Sequence, residues 1–287
     1  MDITAADVKK LRDKTGAGPM ECKKALLETD GDFDRAEKLL KEKGLAAVEK
    51  RADRATNEGK IFIAVTADRS RAALVELSSE TDFVARNPEF IELGGKVAEK
   101  ALAEGITAPT EALSGMVTEL ATKIRENMNL KRLAVVTAGN GEYLTSYLHG
   151  GGAIGVAVKI AADSPAALEK EEVKSLAFNL ALHIAAFNPL ALDRTGVDQG
   201  WIQEQEQLFR RQMEGDEKFG RMKETKPDQF EKILQGKVNK LLQESCLLEQ
   251  GFVKDEKLSV EKVLAETGKA AGSALRVAEY VYYRVGG

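Results

Sequence analysis

The sequence predicts an α+β fold: a three-helix bundle over 1–54, a core subdomain over 55–140, and a second core subdomain over 141–287 carrying an inserted antiparallel helical hairpin at about 192–248. Three patterns carry that expectation. Residues before Glu49 place their apolar side chains at helical spacing; the chain then switches to β-rich runs joined by turn chemistry; and the switch recurs later in the chain. Gly59 before IFIAV is matched by Gly141 before EYLTSYL and AIGVAVKI, each followed by a helical stretch, which predicts a core made by duplication with antiparallel sheets.

In the first part, Thr4 is placed to cap a helix carrying Val8 and Leu11, with Gly16 just past its end. Gly18 and Pro19 suit a second helix start, followed by Met20, Ala25 and Leu26. Asp32 caps a third helix with a stripe of Phe33, Ala36, Leu39 and Leu40, and Gly44 is expected to end it. Glu49 to Gly59 is charged and poor in apolar residues, so it is expected to be an exposed helical extension or a linker.

The first core subdomain opens with two strands, Lys60–Val65 and Ala72–Leu77, joined across Ala67–Ser70. Asn87 and Pro88 then open a helix carrying Phe90, Ile91, Val97 and Ala98; a second is expected from about Glu111 to Met128, and a strand from Arg132 to Thr137. In the second subdomain, Glu171–Phe187 presents Val173, Leu176, Ala177, Leu180 and Ile184 on one helix face, with His183 at its edge. Trp201, Gln205, Leu208 and Phe209 mark one helix of the hairpin, and Phe230, Ile233, Leu234, Val238, Leu241 and Leu242 the other, with a turn over Gly215–Pro227 between them. A helix with Val260, Val263 and Leu264 and a final strand over Leu275–Val285 close the chain.

Composition narrows the function. Of 287 residues, 43% are hydrophobic and 31% charged, ordinary values for a globular protein. The net charge of −4 argues against a direct nucleic-acid partner, and the absence of a long apolar run argues against a membrane, so a cytoplasmic protein is expected. Cys22 and Cys246 fit neither a metal site nor a disulfide framework, and His149 and His183 have no partner at ligand spacing, so no metal and no cofactor is expected. Gly150, Gly152 and Gly155 match the G-x-G-x-x-G pattern of a nicotinamide enzyme, but a strand rather than a helix follows, so a tight turn between strands is expected. The polar segment Ser78–Asn87 carries its bulky apolar side chains at Phe83 and Val84. From composition alone Phe83 reads as a side chain tucked under the loop, with an exposed role as the alternative.

Four stretches resemble the elongation factor Ts family: LRDKTGAGPMECKKAL at Leu11–Leu26, ETDFVARN at Glu80–Asn87, YLHGGGAIGV at Tyr147–Val156 and KLLQESCLLEQGFVKD at Lys240–Asp255. The resemblance spans essentially the whole chain. It implies a nucleotide exchange factor, not an enzyme, whose partner is the GDP-bound GTPase elongation factor Tu. It also implies that the first part is similar to ubiquitin-associated domains and that the hairpin is a coiled coil. On this resemblance Thr81, Asp82, Phe83 and Val84 displace Mg²⁺ from the partner, with Phe83 as a wedge and Asp82 as an acceptor. Val8, Arg12 and Met20 would dock on the partner's nucleotide-binding domain and His149 on another of its domains. A homodimer or a 2:2 complex with the partner stays open. Ala153 stands where the family often has Arg, and Pro19 where a second Met is common.

Overall fold

Helix α1 (Ala5–Thr15) starts where Thr4 and Asp7 satisfy each other's exposed backbone groups: the Asp7 N–H donates to Thr4 Oγ1 at 3.2 Å and the Thr4 N–H to Asp7 Oδ2 at 3.0 Å. Gly16, at φ 68°, ends it. Helix α2 (Pro19–Glu28) opens on Pro19, with the Gly18 N–H donating to Glu21 at 3.0 Å, and α3 (Phe33–Glu49) is capped by Asp32. Leu11, Cys22, Ala25, Leu26, Ala36 and Leu40 form the buried centre of these helices. The structure is a computed structural model describing residues 3–287.

One expectation about this region is corrected. Gly44 does not end α3, which runs through it. A Cβ there would lie 2.2 Å from Thr122 Cγ2 on α6 (Glu111–Ile124), so glycine is present for close helix approach, not for a left-handed turn. Glu49–Gly59 is largely exposed, as expected of an extension or linker, and is tied down at two points. Asn127 Nδ2 donates to the carbonyls of Ala52 (3.0 Å) and Arg54 (2.7 Å), and the buried Thr56 hydroxyl accepts from Ser78 Oγ at 3.0 Å.

Strands β1 (Glu58–Val65), β2 (Arg71–Ser79) and β3 (Met128–Thr137) form an antiparallel sheet in the order β1-β2-β3. Phe62 faces Val75, Leu74 faces Ala134, and a bulge falls between Glu76 and Leu77. The turn into β2 is closed by Asp68, whose Oδ1 accepts from the Ser70 N–H at 3.0 Å. Between β2 and β3 come α4 (Asp82–Ala85), α5 (Pro88–Glu104) and α6. The central β2 is buried on both faces, and its Val75 and Leu77 share a core with Phe90, Val97, Leu113, Val117 and Leu133. Ile91 is exposed rather than core. Helix α6 stops at Ile124, short of the expected Met128, because Arg125 adopts φ 69° and turns the chain so that Met128 can begin β3.

Strands β4 (Glu142–His149), β5 (Ile154–Ala162) and β8 (Leu275–Arg284) form a sheet in the order β4-β5-β8. Gly150, Gly151 and Gly152, at φ 59°, 64° and 105°, make the turn from β4 to β5, so the G-x-G-x-x-G match is the expected strand-to-strand turn. Helix α7 (Glu171–Phe187) has the expected limits, but His183 is fully buried rather than at the edge.

Helices α8 (Gln199–Gly215) and α10 (Pro227–Ser245) pack antiparallel: Trp201 near the start of α8 shares a cluster with Val238 and Leu242, and Met213 near its end shares another with Phe230 and Leu234. The segment expected to be a turn holds helix α9 (Glu217–Thr225), capped by Asp216 and packing Phe219 and Met222 onto the second cluster. A ribbon of β6 (Gly251–Phe252) and β7 (Asp255–Ser259) precedes α11 (Val260–Ala271). Both cysteines are buried free thiols.

The chain divides into two units. One runs through Thr137 and takes in Leu148–Gly155 and Tyr283–Gly287; the other holds Ala138–Tyr147 and Val156–Tyr282. Among the described residues no helix is long and apolar enough to cross a bilayer, and no group of three or more His, Cys, Asp or Glu side chains could hold a metal ion.

Candidate functional site

The segment after β2 is a single helical turn, not an irregular loop. Ser79 Oγ donates to the Thr81 carbonyl at 2.9 Å, and Thr81 Oγ1 caps α4 by accepting from the Val84 N–H at 3.4 Å. The Arg86 N–H donates to the Asp82 carbonyl at 3.1 Å, and the Asn87 N–H to that of Val84 at 2.9 Å. Asn87 Oδ1 accepts from the Glu89 N–H at 2.8 Å, so one turn passes directly into α5.

Helical geometry separates successive side chains by about 100°, so a turn packed on one side turns part of Asp82–Ala85 to the core and the rest outward. Val84 and Ala85 take the core, while Phe83 is 82% exposed. Composition alone had placed Phe83 inside; the residue beside it occupies that position. Asp82 is half-buried, and its carboxylate lies 3.0 Å from Arg86 Nη2, one turn along. An exposed pair of this kind contributes little and can exchange for another donor.

Two acidic residues that the sequence did not single out hold the turn. Glu126 accepts from the Thr81 N–H at 3.1 Å and from Thr81 Oγ1 at 2.8 Å. Glu80 accepts from the Asn127 N–H at 2.6 Å and from Arg54 at 3.3 Å. Both contacts join positions far apart in sequence, so no local periodicity could reveal them.

The other expected contact residues lie on separate elements. Arg12 on α1 and Met20 on α2 are exposed, Met20 by 76%, whereas Val8 is half-buried against the bundle's core. His149 ends β4 at the surface. Two clefts lie elsewhere. A cavity of about 350 Å³ is lined by Ile63, Arg71, Glu99 and Leu102 among others, and one of about 840 Å³ by residues including Leu192, Leu248, Leu264 and Leu275. Neither contains Thr81–Val84, Val8, Arg12, Met20 or His149. Dispersed surface residues and a protruding aromatic suit contact with a macromolecule better than enclosure of a small substrate.

His183 has a structural environment. Its Nδ1 accepts from the Val253 N–H at 3.2 Å, which leaves the proton on Nε2 to donate to Gln250 Oε1 at 2.9 Å. Its ring lies against Phe187 and Phe252, and burial lowers its pKa from the ordinary value.

Sequence comparison identifies the relatives of this chain. The profile of the family described as Elongation factor TS matches residues 80–287, a span that includes the helical turn. The chain is 48% identical over 287 residues to Elongation factor Ts of Treponema denticola, covering 100% of this chain and 99% of the relative. It is 44% identical over 295 residues to Elongation factor Ts of Treponema pallidum, with the same coverage. Identity to Elongation factor Ts of Clostridium botulinum is 38% over 299 residues, covering 99% of this chain and 92% of the relative. The chain belongs to the elongation factor Ts family of translation elongation factors.

Proposed function

We propose that this chain is a guanine nucleotide exchange factor that docks on GDP-bound elongation factor Tu and promotes GDP release so that GTP can reload, acting by binding and not as an enzyme. The observation that carries this reading is the 82% exposure of Phe83 on a turn whose neighbours Val84 and Ala85 are buried. Leaving such a side chain in water forgoes roughly 1.5–3 kcal/mol of burial, which is recovered if a partner covers it.

In this reading Thr81–Val84 act on the partner's Mg²⁺ site. Mg²⁺ demands a near-ideal octahedral shell and uses few protein ligands, so Phe83 wedged against the elements that carry those ligands spoils the shell by a small displacement. Asp82 positions the wedge by accepting from the partner. A nucleotide held at nanomolar strength represents about 12 kcal/mol, so the wedge needs docking energy behind it. Val8, Arg12, Met20 and His149 supply part of that contact. By linkage, this chain and GDP weaken each other's binding by the same coupling free energy.

The finer architecture belongs to the same proposal. The bundle over 1–54 is similar to a ubiquitin-associated domain, the core comprises subdomains over 55–140 and 141–287, and the α8–α10 hairpin is a coiled coil. The protein works in the cytoplasm without a cofactor, metal or direct nucleic-acid partner, alone or as a homodimer or 2:2 complex.

Elongation factor Tu loaded with fluorescent GDP provides the test. The wild-type chain should accelerate release; Phe83→Ala should reduce the saturating rate at least about ten-fold, a barrier change of about 1.4 kcal/mol, while weakening docking less. Release unchanged by the wild-type chain overturns the proposal.

A further inference from the structure

We infer that the turn Arg125–Asn127, between α6 and β3, is the positioning element of the exchange tip and that Glu126 is the residue through which it acts. The inference rests on the exchange reading above.

The two oxygens of one carboxylate meet both donors of one residue: Glu126 Oε2 takes the Thr81 N–H at 3.1 Å and Oε1 takes Thr81 Oγ1 at 2.8 Å. Such paired, charge-assisted bonds fix orientation as well as contact. With its hydroxyl hydrogen directed to Glu126, Thr81 Oγ1 turns a lone pair toward the Val84 N–H and caps α4. The cap sets where the helical turn begins and therefore where Phe83 points.

The adjacent residue secures the other side. The Asn127 N–H donates to Glu80 at 2.6 Å, so Glu80 and Thr81 are both held from consecutive positions of the same turn. Val84 and Ala85 anchor α4 by apolar burial, which is non-directional and does not by itself select a heading. Arg125, at φ 69°, reverses the chain so that its two successors face the end of β2, and it forms an ion pair with Glu21. Glu21 neighbours Met20, so the same turn ties the bundle's exposed surface to the tip.

A positioning role differs from general stabilisation because its whole effect passes through Phe83. We would make Glu126→Ala in the wild-type and Phe83→Ala backgrounds. The readouts are the saturating rate of fluorescent GDP release, affinity for nucleotide-free elongation factor Tu, and amide hydrogen exchange of the free chain. Glu126→Ala should slow the saturating rate about ten-fold and change affinity less than about three-fold. Glu126→Gln, which keeps the shape and one acceptor, should recover most of the rate. In the Phe83→Ala background Glu126→Ala should have no further effect on rate. The Ala85 and Arg86 amides should exchange about ten-fold faster in Glu126→Ala, with α5 unaffected.

Multiplying losses in the double variant, equal losses of rate and affinity, or a wild-type rate in Glu126→Ala would overturn the inference. So would unchanged protection of Ala85 and Arg86. That last measurement needs no partner, so it decides whether Glu126 holds the turn even if the wild-type chain released no GDP and the exchange reading itself fell. Should Glu126→Ala fail to fold, Thr81→Val removes the hydroxyl donor at constant shape and should show a smaller rate loss with the same dependence on Phe83.

Discussion

At the scale of single residues, Phe83 and His183 are opposite solutions to placing an aromatic ring. Phe83 is uncovered in the free chain, so Phe83→Ala should leave stability within about 0.5 kcal/mol of wild type while the exchange rate falls; chemical denaturation beside the release assay separates the two. His183 is covered and neutral, held between the Val253 N–H and Gln250 Oε1. Because its folded pKa lies below the ordinary value of about 6.5, the unfolded chain takes up a proton first as pH falls. The resulting loss of stability sets in through the unfolded pKa and is complete below the folded one. The urea midpoint of the wild-type chain should therefore drop as pH falls through about 6.5, and His183→Gln should flatten that dependence. An unchanged slope would show that other groups control it. Neither environment was legible in sequence, since a neighbour in a helical turn decided the first and partners far along the chain the second.

At the scale of elements, the sequence was most readable where a local rule acts alone. Thr4, Gly16, Asp32 and the Asn87-Pro88 start announced helix ends through backbone chemistry, and the structure has those ends. It was least readable where tertiary contact overrides the local rule, as at Gly44, or where an element is too short for periodicity, as in α4 and β6. Of the site, the ETDFVARN segment could be picked out, but its helical turn and its supports Glu126 and Glu80 could not. Gly44→Ala brings two effects into competition. Helix propensity favours alanine by about 1 kcal/mol, but the new methyl meets Thr122 Cγ2, whose side chain is held by a 3.0 Å bond from Oγ1 to the Thr118 carbonyl. Overpacking of this kind costs about 1–3 kcal/mol. Net destabilisation is expected by chemical denaturation, and Thr122→Ala in the same chain should convert it to a gain.

At the scale of the whole molecule, the units are not consecutive stretches of chain, a division that periodicity cannot supply. Tyr283–Gly287 belong with the unit formed mainly by residues up to Thr137. There Glu76, nearly fully buried in β2, pairs with Arg132 at 2.6 Å and accepts from the Gly286 N–H at 3.1 Å. Arg132 also donates to the Arg284 carbonyl at 2.9 Å and lies over the Tyr283 ring at 4.3 Å. Deleting Arg284–Gly287 strips a buried carboxylate of one donor, at a cost of about 1–3 kcal/mol. Hydrogen exchange should locate the loss at β2 and β3, while α7 and α10 keep their protection. The order of synthesis makes this arrangement a question of time. A ribosome adds about 5–20 residues per second, so the strands that enclose Glu76 wait roughly 10–30 s for the segment that completes them. During that interval the nascent sheet holds Glu76 with Arg132 alone, one donor short of its finished environment.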